Sequence, residues 1–213
     1  MVQRPPKLSL FRSTLVAGRL TFESPATVDI MADHVTSIES IEGDITTEHI
    51  DSIVNAANSA LLGGGGVDGA IHRAAGPRLM EECRELRSTT YIHGLPVGEA
   101  VATGAGNLSA RWVIHTAGPN RHAGQSDPAL LASCFENSLK EAVRVGARSV
   151  AFPAVGAGIY GWDVAEVARI AVAAVRESPH RSQLDLVRFV LFSPGAHEAF
   201  IAALGQGYVR RGG

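Results

Sequence analysis

The sequence predicts a three-layer α/β/α fold, with helices on both faces of a mixed, mostly parallel central sheet, and two observations carry this. From about Thr36 onward, short β-rich runs alternate with helical segments, as expected where parallel strands are joined by crossover helices. The 213 residues also include 23 glycines, above a usual share of about 7%. Many of these gather in two loops that each follow a strand and lead into a helix. A chain of this length buries roughly 70% of the surface its unfolded form exposes, enough for a core without disulfides or a structural metal.

In chain order, residues 1–36 are expected to form an N-terminal extension and residues 37–213 the folded domain. Short alternating apolar patches in the extension (Leu8, Leu10; Leu20, Phe22; Val28, Ile30) suggest added strands or an arm packed on that domain. Arg4, Lys7, Arg12 and Arg19, with no acid among the first 20 residues, resemble a weak targeting composition. Pro5-Pro6 interrupts any amphipathic helix there, so the segment is not taken as a leader. Strands are expected near Ser37–Glu42, Ser52–Asn55, Glu99–Thr103, Trp112–Thr116, Ser149–Pro153 and Leu186–Phe192. The clearest helix runs from Ser126 to Gly146. Leu131, Phe135, Leu139, Ala142 and Val143 repeat there at helical spacing between a Ser-Asp-Pro start and a glycine stop. A second runs from Asp163 to about Glu177, opening with Asp163 and Glu166 in capping-box spacing. Leu79–Arg87 is a further helical segment.

Composition excludes several classes. Nineteen Lys+Arg against 21 Asp+Glu give a net charge of −2, which argues against nonspecific binding to nucleic acid or an anionic membrane. No apolar run reaches the length of a membrane helix. Cys83 and Cys134 lie far apart, so neither a zinc ribbon nor a disulfide framework is expected. A cytoplasmic monomer without cofactor or metal is the expectation.

The chemistry is concentrated in two strand–loop–helix units. The first runs Ile53-Val54-Asn55-Ala56-Ala57-Asn58 into Gly63-Gly64-Gly65-Gly66-Val67-Asp68-Gly69. The second runs Val150-Ala151-Phe152-Pro153-Ala154-Val155 into Gly156-Ala157-Gly158-Ile159-Tyr160-Gly161. Each contains a G-x-G-x-x-G spacing. Glycines let several backbone N–H groups approach an anion, and a following helix N-terminus adds partial positive charge. Two such loops at one sheet edge can grip a diphosphate from both sides. Neither loop ends in Gly-Lys-Ser/Thr, which excludes a Walker-type loop. A dinucleotide fingerprint requires an acid at a strand end about 20 residues on; Glu85 has that spacing but sits in a helical segment.

Asn55, Asn58, Asp68 and His72 crowd the first loop, and Asp68 and His72 are spaced i, i+4, so they share a helix face. A carboxylate beside bound phosphate is unfavourable unless it has work to do, such as holding ribose hydroxyls or orienting a water. Alternatives remain for each taken alone: a helix N-terminal charge for Asp68, a semi-buried histidine for His72, and turn-closing side chains for Asn55 and Asn58.

The run Gly43-Asp44-Ile45-Thr46, Asp51 to Asn58 and Gly63 to Gly76 resembles the macrodomain family. Within that family it resembles the MacroD-like branch, which removes ADP-ribose from acidic side chains and deacetylates O-acetyl-ADP-ribose. Gly98-Glu99-Ala100, Val113 to Pro119, and Phe152 to Val155 with Gly158 to Gly161 look like the family's later motifs, so the resemblance spans about residues 37–205. It implies that Asp44 accepts the adenine amino group beside the Ile45 backbone. Gly64, Gly65, Gly66 and Val67 with Gly156, Ala157, Gly158 and Ile159 would wrap the diphosphate, Tyr160 would line the distal ribose, and Asn55 belongs to the ligand-binding set. Asp68 would orient a water with the substrate's own phosphate, while Asn58 places the ribose and His72 supports the pocket. The partners implied are ADP-ribose or mono-ADP-ribosylated proteins, with O-acetyl-ADP-ribose as a second substrate class. A noncatalytic ADP-ribose reader and a nicotinamide-dependent oxidoreductase are the competing readings. Gly156-Ala157 departs from the family's frequent hydroxyl-bearing start to the second loop.

Overall fold

The computed structural model describes residues 35–205 together with residues 15–16 and 19–20. By its internal contacts the chain separates into residues 1–33 and 34–213. Within the first unit, β1 (Leu15–Val16) pairs antiparallel with β2 (Arg19–Leu20). The apolar patches expected to form an arm otherwise lie outside the described residues.

The second unit holds β3 (Ser37–Glu42), β4 (Ser52–Ala57), α1 (Gly66–Ala75), α2 (Pro77–Thr89), β5 (Ala100–Gly104), β6 (Trp112–Ala117), α3 (Pro128–Arg144), β7 (Ser149–Phe152), α4 (Val164–Glu177), β8 (Leu186–Leu191) and α5 (Pro194–Gly205). These six strands form one sheet in the order β3-β8-β7-β4-β6-β5. Every neighbouring pair is parallel except β5 with β6, which is antiparallel. The mixed, mostly parallel sheet is as expected.

Side chains alternate across the strands, so each strand feeds two cores. On one face Val54, Ile114, Phe152 and Phe189 meet Leu131, Phe135 and Leu139 of α3 and Phe200 of α5. Phe135, Phe152, Phe189 and Phe200 form a chain of tilted rings with centroids 5.5, 5.9 and 4.8 Å apart. On the other face Ile53, Val113, Ala151 and Val190 meet Ile71 of α1 and Leu79 of α2. The helices start and stop where side chains satisfy the backbone. Asp127 accepts from Ala129 N (2.9 Å) ahead of Pro128, and Asp163 accepts from Ala165 N and Glu166 N (both 3.0 Å). The turn between α1 and α2 is made by Gly76, at φ +77°. Helix α5 has no sequence-based expectation behind it. Among the described residues no helix is long and apolar enough to cross a membrane.

Candidate functional site

Because β4 and β7 are neighbours, the two glycine loops that leave their carboxyl ends lie side by side. They enclose a cleft of about 220 Å³ lined by Asn58, Gly64, Gly65, Gly66, Val67 and Asp68 from the first loop, and by Gly156, Ala157, Gly158, Ile159 and Tyr160 from the second. Ala56, Ala57, Gly118 and Ala154 complete the wall. These four went unread as lining, and their signal is smallness at strand ends, where larger side chains would fill the space. In open α/β sheets this edge is where ligands sit.

The two loops differ in how they present donors. Helix α1 starts at Gly66 with Gly65 as N-cap, and no side chain caps it. Its first-turn N–H groups therefore belong to the cleft, an arrangement suited to an anion. Helix α4 offers less, since the Asp163 carboxylate already accepts from two of its first-turn amides, Ala165 N and Glu166 N, and sets a negative charge at that helix start. The Asp163 charge offsets the dipole contribution expected from the second helix, so the second loop relies mainly on its own backbone. There the Ala157 N–H is taken by Ala154 O (3.1 Å) and the Gly161 N–H by Gly158 O (3.0 Å). The amides of Gly158 and Ile159 have no backbone acceptor among the described residues.

Gly156 stands at φ +86°, and a Cβ there would lie 3.2 Å from both Leu131 Cδ1 and Trp162 Cδ1. The hydroxyl missing at this position therefore reflects a backbone that favours glycine. The loop is tied to the segment after β6. Arg121 N donates to Tyr160 O (2.9 Å), Trp162 Nε1 donates to Pro119 O (2.9 Å), and the Arg121 guanidinium sits 3.8 Å over the Trp162 ring while pairing with Glu166 at 2.7 Å.

Asp68 lies in the first turn of α1, 4% exposed. Its Oδ1 accepts from Asn55 Nδ2 at 2.7 Å and lies 3.3 Å from His72 Nε2, so the i, i+4 spacing does bring Asp68 and His72 together. Oδ2 faces Gly64, 3.0 Å from where a Cβ on that glycine would be. Asn58 closes the first loop by donating from Nδ2 to Gly63 O (3.0 Å), while its buried Oδ1 has no partner.

Four expected site residues lie off the cleft wall. Asn55 is fully buried behind it and reaches the cleft only through Asp68. His72 likewise stands behind Asp68. Asp44 is exposed beyond the end of β3, where its Oδ1 caps a 3₁₀ turn by accepting from Thr46 N (2.9 Å) and Thr46 Oγ1 (2.8 Å). Ile45 beside it is 5% exposed and packs in the core. One residue unread in the sequence stands close to them in the sheet order. Phe192, 88% exposed, follows β8, whose Leu191 O accepts from Gly43 N (2.9 Å). A large bare ring at a strand end is a signal only once β8 is known to neighbour β3.

Electrostatics divide the site into a working part and an inert part. Burial raises the Tyr160 phenol pKa, assisted by the Asp68 charge, so this ring keeps its proton at neutral pH. Behind Asp68, burial pushes the Cys83 thiol up to about 12, with Asp68 and Glu82 adding to the shift, which leaves it unreactive. His115 is pushed down to about 4, first by burial and then by His72, against an opposing pull from Asp68. A buried base with a lowered pKa binds fewer protons folded than unfolded between about pH 6.5 and 4, so it withdraws stability as pH falls through that window. Tm measured against pH should fall more steeply there for the wild type than for His115→Asn, which cannot titrate. Among the described residues no group of three His, Cys, Asp or Glu side chains is placed to hold a metal.

A mostly parallel sheet with two glycine loops and an uncapped helix start at one edge defines an α/β protein with a cleft suited to an anion. Comparisons with known proteins agree and narrow the class. The family model "Macro domain" matches residues 54–171. A macro domain-containing protein of Streptomyces coelicolor is 54% identical over 171 residues, 80% of this chain and 100% of the relative. One of Streptomyces nogalater is 54% identical over 172 residues, 81% of this chain and 94% of the relative. The Oceanobacillus iheyensis macrodomain solved with ADP superposes with TM-score 0.74 at 39% identity, covering 78% of this chain and 89% of that one. The Trypanosoma brucei macrodomain in complex with ADP-ribose gives TM-score 0.69 at 35% identity, over 79% and 69%. The chain belongs to the macro domain family.

Proposed function

We propose that this protein binds ADP-ribose along the carboxyl edge of its sheet and hydrolyses the ester that joins ADP-ribose to a glutamate or aspartate side chain of a protein, with O-acetyl-ADP-ribose as a second substrate. Binding is supported by structural relatives solved with ADP and ADP-ribose and by the layout of the edge. From β3, with Asp44 beyond its end, to β4, with Asp68 beyond its loop, there are three strand spacings, ~14 Å at ~4.8 Å each. A nucleoside diphosphate sugar laid across them would place its base by Asp44 and Phe192, its diphosphate between the glycine loops and its distal ribose by Asn58, Asp68 and Tyr160.

Hydrolysis rests on one observation, the Asp68 carboxylate in the wall of an anion cradle. A carboxylate there repels the diphosphate, a cost that a task in the chemistry would offset, beyond the ~0.3–1 kcal/mol of a helix N-terminal charge. Its Oδ1 is tied by Asn55, while Oδ2 faces the cleft and can hold a water. That water's oxygen would bond to the distal ribose carbon as the bond from this carbon to the ester oxygen breaks. The glutamate leaves as a carboxylate, and the proton passes to Asp68 or the substrate phosphate. The unpartnered Asn58 Oδ1 suits a ribose hydroxyl.

The test is incubation of the wild type with a glutamate-linked mono-ADP-ribosylated protein and, separately, with O-acetyl-ADP-ribose. Release of ADP-ribose supports the reading, whereas ADP-ribose binding without release would make the protein a reader. Phe192→Ala should weaken ADP-ribose binding by about 1 kcal/mol, the low end for loss of one base-stacking ring. It should leave Tm unchanged, since the ring is bare; calorimetry and thermal melts check both.

A further inference from the structure

The wall behind Asp68 contains a buried polar chain that the proposed reaction does not use directly. Asn55, His115 and Thr103 are at most 3% exposed, and they come from three adjacent strands, β4, β6 and β5. Asn55 faces His115 in the β4–β6 register. The Asn55 amide nitrogen has two hydrogens and two neighbours in reach: Asp68 Oδ1 at 2.7 Å and His115 Nδ1 at 3.1 Å. His115 Nε2 in turn lies 2.9 Å from Thr103 Oγ1, with Cys83 Sγ at 3.7 Å on the same side.

We infer that His115 is a positioning residue which, through Asn55, holds the Asp68 carboxylate in its working orientation, and that Thr103 helps to fix which ring nitrogen carries the proton. This rests on the hydrolase reading above. Asn55 Nδ2 can only donate, so His115 Nδ1 must be an acceptor. A neutral ring then carries its proton on Nε2 and donates it to Thr103 Oγ1. Burial keeps the ring neutral at physiological pH.

The opposite orientation of the Asn55 amide would set its oxygen against Asp68 Oδ1, an acceptor 2.7 Å away. Asn55 Oδ1 is instead left buried without a partner, so the two donations from Nδ2 determine how the amide lies. With Oδ1 of Asp68 anchored by Asn55 and approached by His72, Oδ2 is turned to the cleft. His115 itself is absent from the cleft wall and acts only through Asn55.

The experiment uses the full chain and its His115→Leu and His115→Asn variants. Asparagine keeps an acceptor near the place of Nδ1, whereas leucine removes it. His115→Leu should lower kcat for release of ADP-ribose from a glutamate-linked protein by at least about tenfold, with the Kd for free ADP-ribose changed by no more than about twofold. His115→Asn should recover most of that kcat. Nitrogen-15 NMR of the wild-type ring should show the Nε2–H tautomer. Equal kcat losses in both variants, tracking their loss of Tm, would overturn the inference, and so would an Nδ1–H tautomer. If His115→Leu does not fold, His115→Asn and the tautomer decide. If the wild type releases no ADP-ribose, the hydrolase reading fails, while the tautomer still decides whether Asn55 and Asp68 are oriented as stated.

Discussion

Replacing Asp68 with Asn is expected to lower the rate of ADP-ribose release from a glutamate-linked substrate by about 10²–10⁴-fold, the usual contribution of a positioned acid–base group. ADP-ribose should bind at least as tightly as before. Both predictions come from the surroundings of the two carboxylate oxygens. Oδ1 accepts from the Asn55 amide and faces His72 Nε2, so the new side chain keeps its oxygen there and turns its NH₂ to the cleft. That group cannot take a proton from water, but it can donate to a phosphate, and the repulsion between carboxylate and diphosphate is gone. A turnover assay with calorimetry on the same preparation separates the two effects. Wild-type turnover in Asp68→Asn would reduce Asp68 to a helix-terminal charge, a role of about 0.3–1 kcal/mol.

The parts of this fold visible in the sequence are those that local chemistry dictates. β3 lies over Ser37–Glu42 as expected and β8 ends one residue before the expected Phe192; Ile38 and Ile41 in the first, and Val187, Phe189 and Val190 in the second, supply the strand signal. β4 runs two residues beyond the expected Asn55, through Ala56-Ala57, where small residues carry no strand signal. α5 went unread because Ala196, Ala199, Phe200, Ile201, Ala203 and Leu204 put apolar groups nearly all round it, leaving no helical period. Both glycine loops and Asp68 with His72 were legible because each lies within a single short segment. The buried chain behind Asp68 was not. Asn55 and His115 are 60 residues apart, and only the sheet order β4-β6-β5 brings them and Thr103 together. For the same reason Phe192 suggests no candidate role until β8 is seen to lie beside β3.

Gly69→Ala is expected to lower both stability and ADP-ribose affinity, against the ordinary trend for such a change. Gly69 lies inside α1, where alanine normally gains about 1 kcal/mol over glycine, mostly because it restricts the unfolded chain. Here the added Cβ would sit 2.6 Å from the Gly64 carbonyl oxygen and 3.2 Å from Arg73 Nη1. The arginine can swing aside, but the carbonyl is backbone. Overpacking of this kind costs about 1–3 kcal/mol, enough to cancel the gain at the lower end and to exceed it by about 2 kcal/mol at the upper. The consequence for binding is larger, because relief of the contact moves Gly64, whose neighbours are Asp68 Oδ2 and Asn58 Nδ2. Displacing that peptide disturbs the first-loop donors and the distal-ribose groups together, so ADP-ribose affinity should fall at least about tenfold, or ~1.4 kcal/mol. Thermal melts and calorimetry on the purified variant measure the two effects separately. A raised Tm with unchanged affinity would mean that the loop has slack at Gly64, and the close helix–loop approach would lose its role in shaping the cleft.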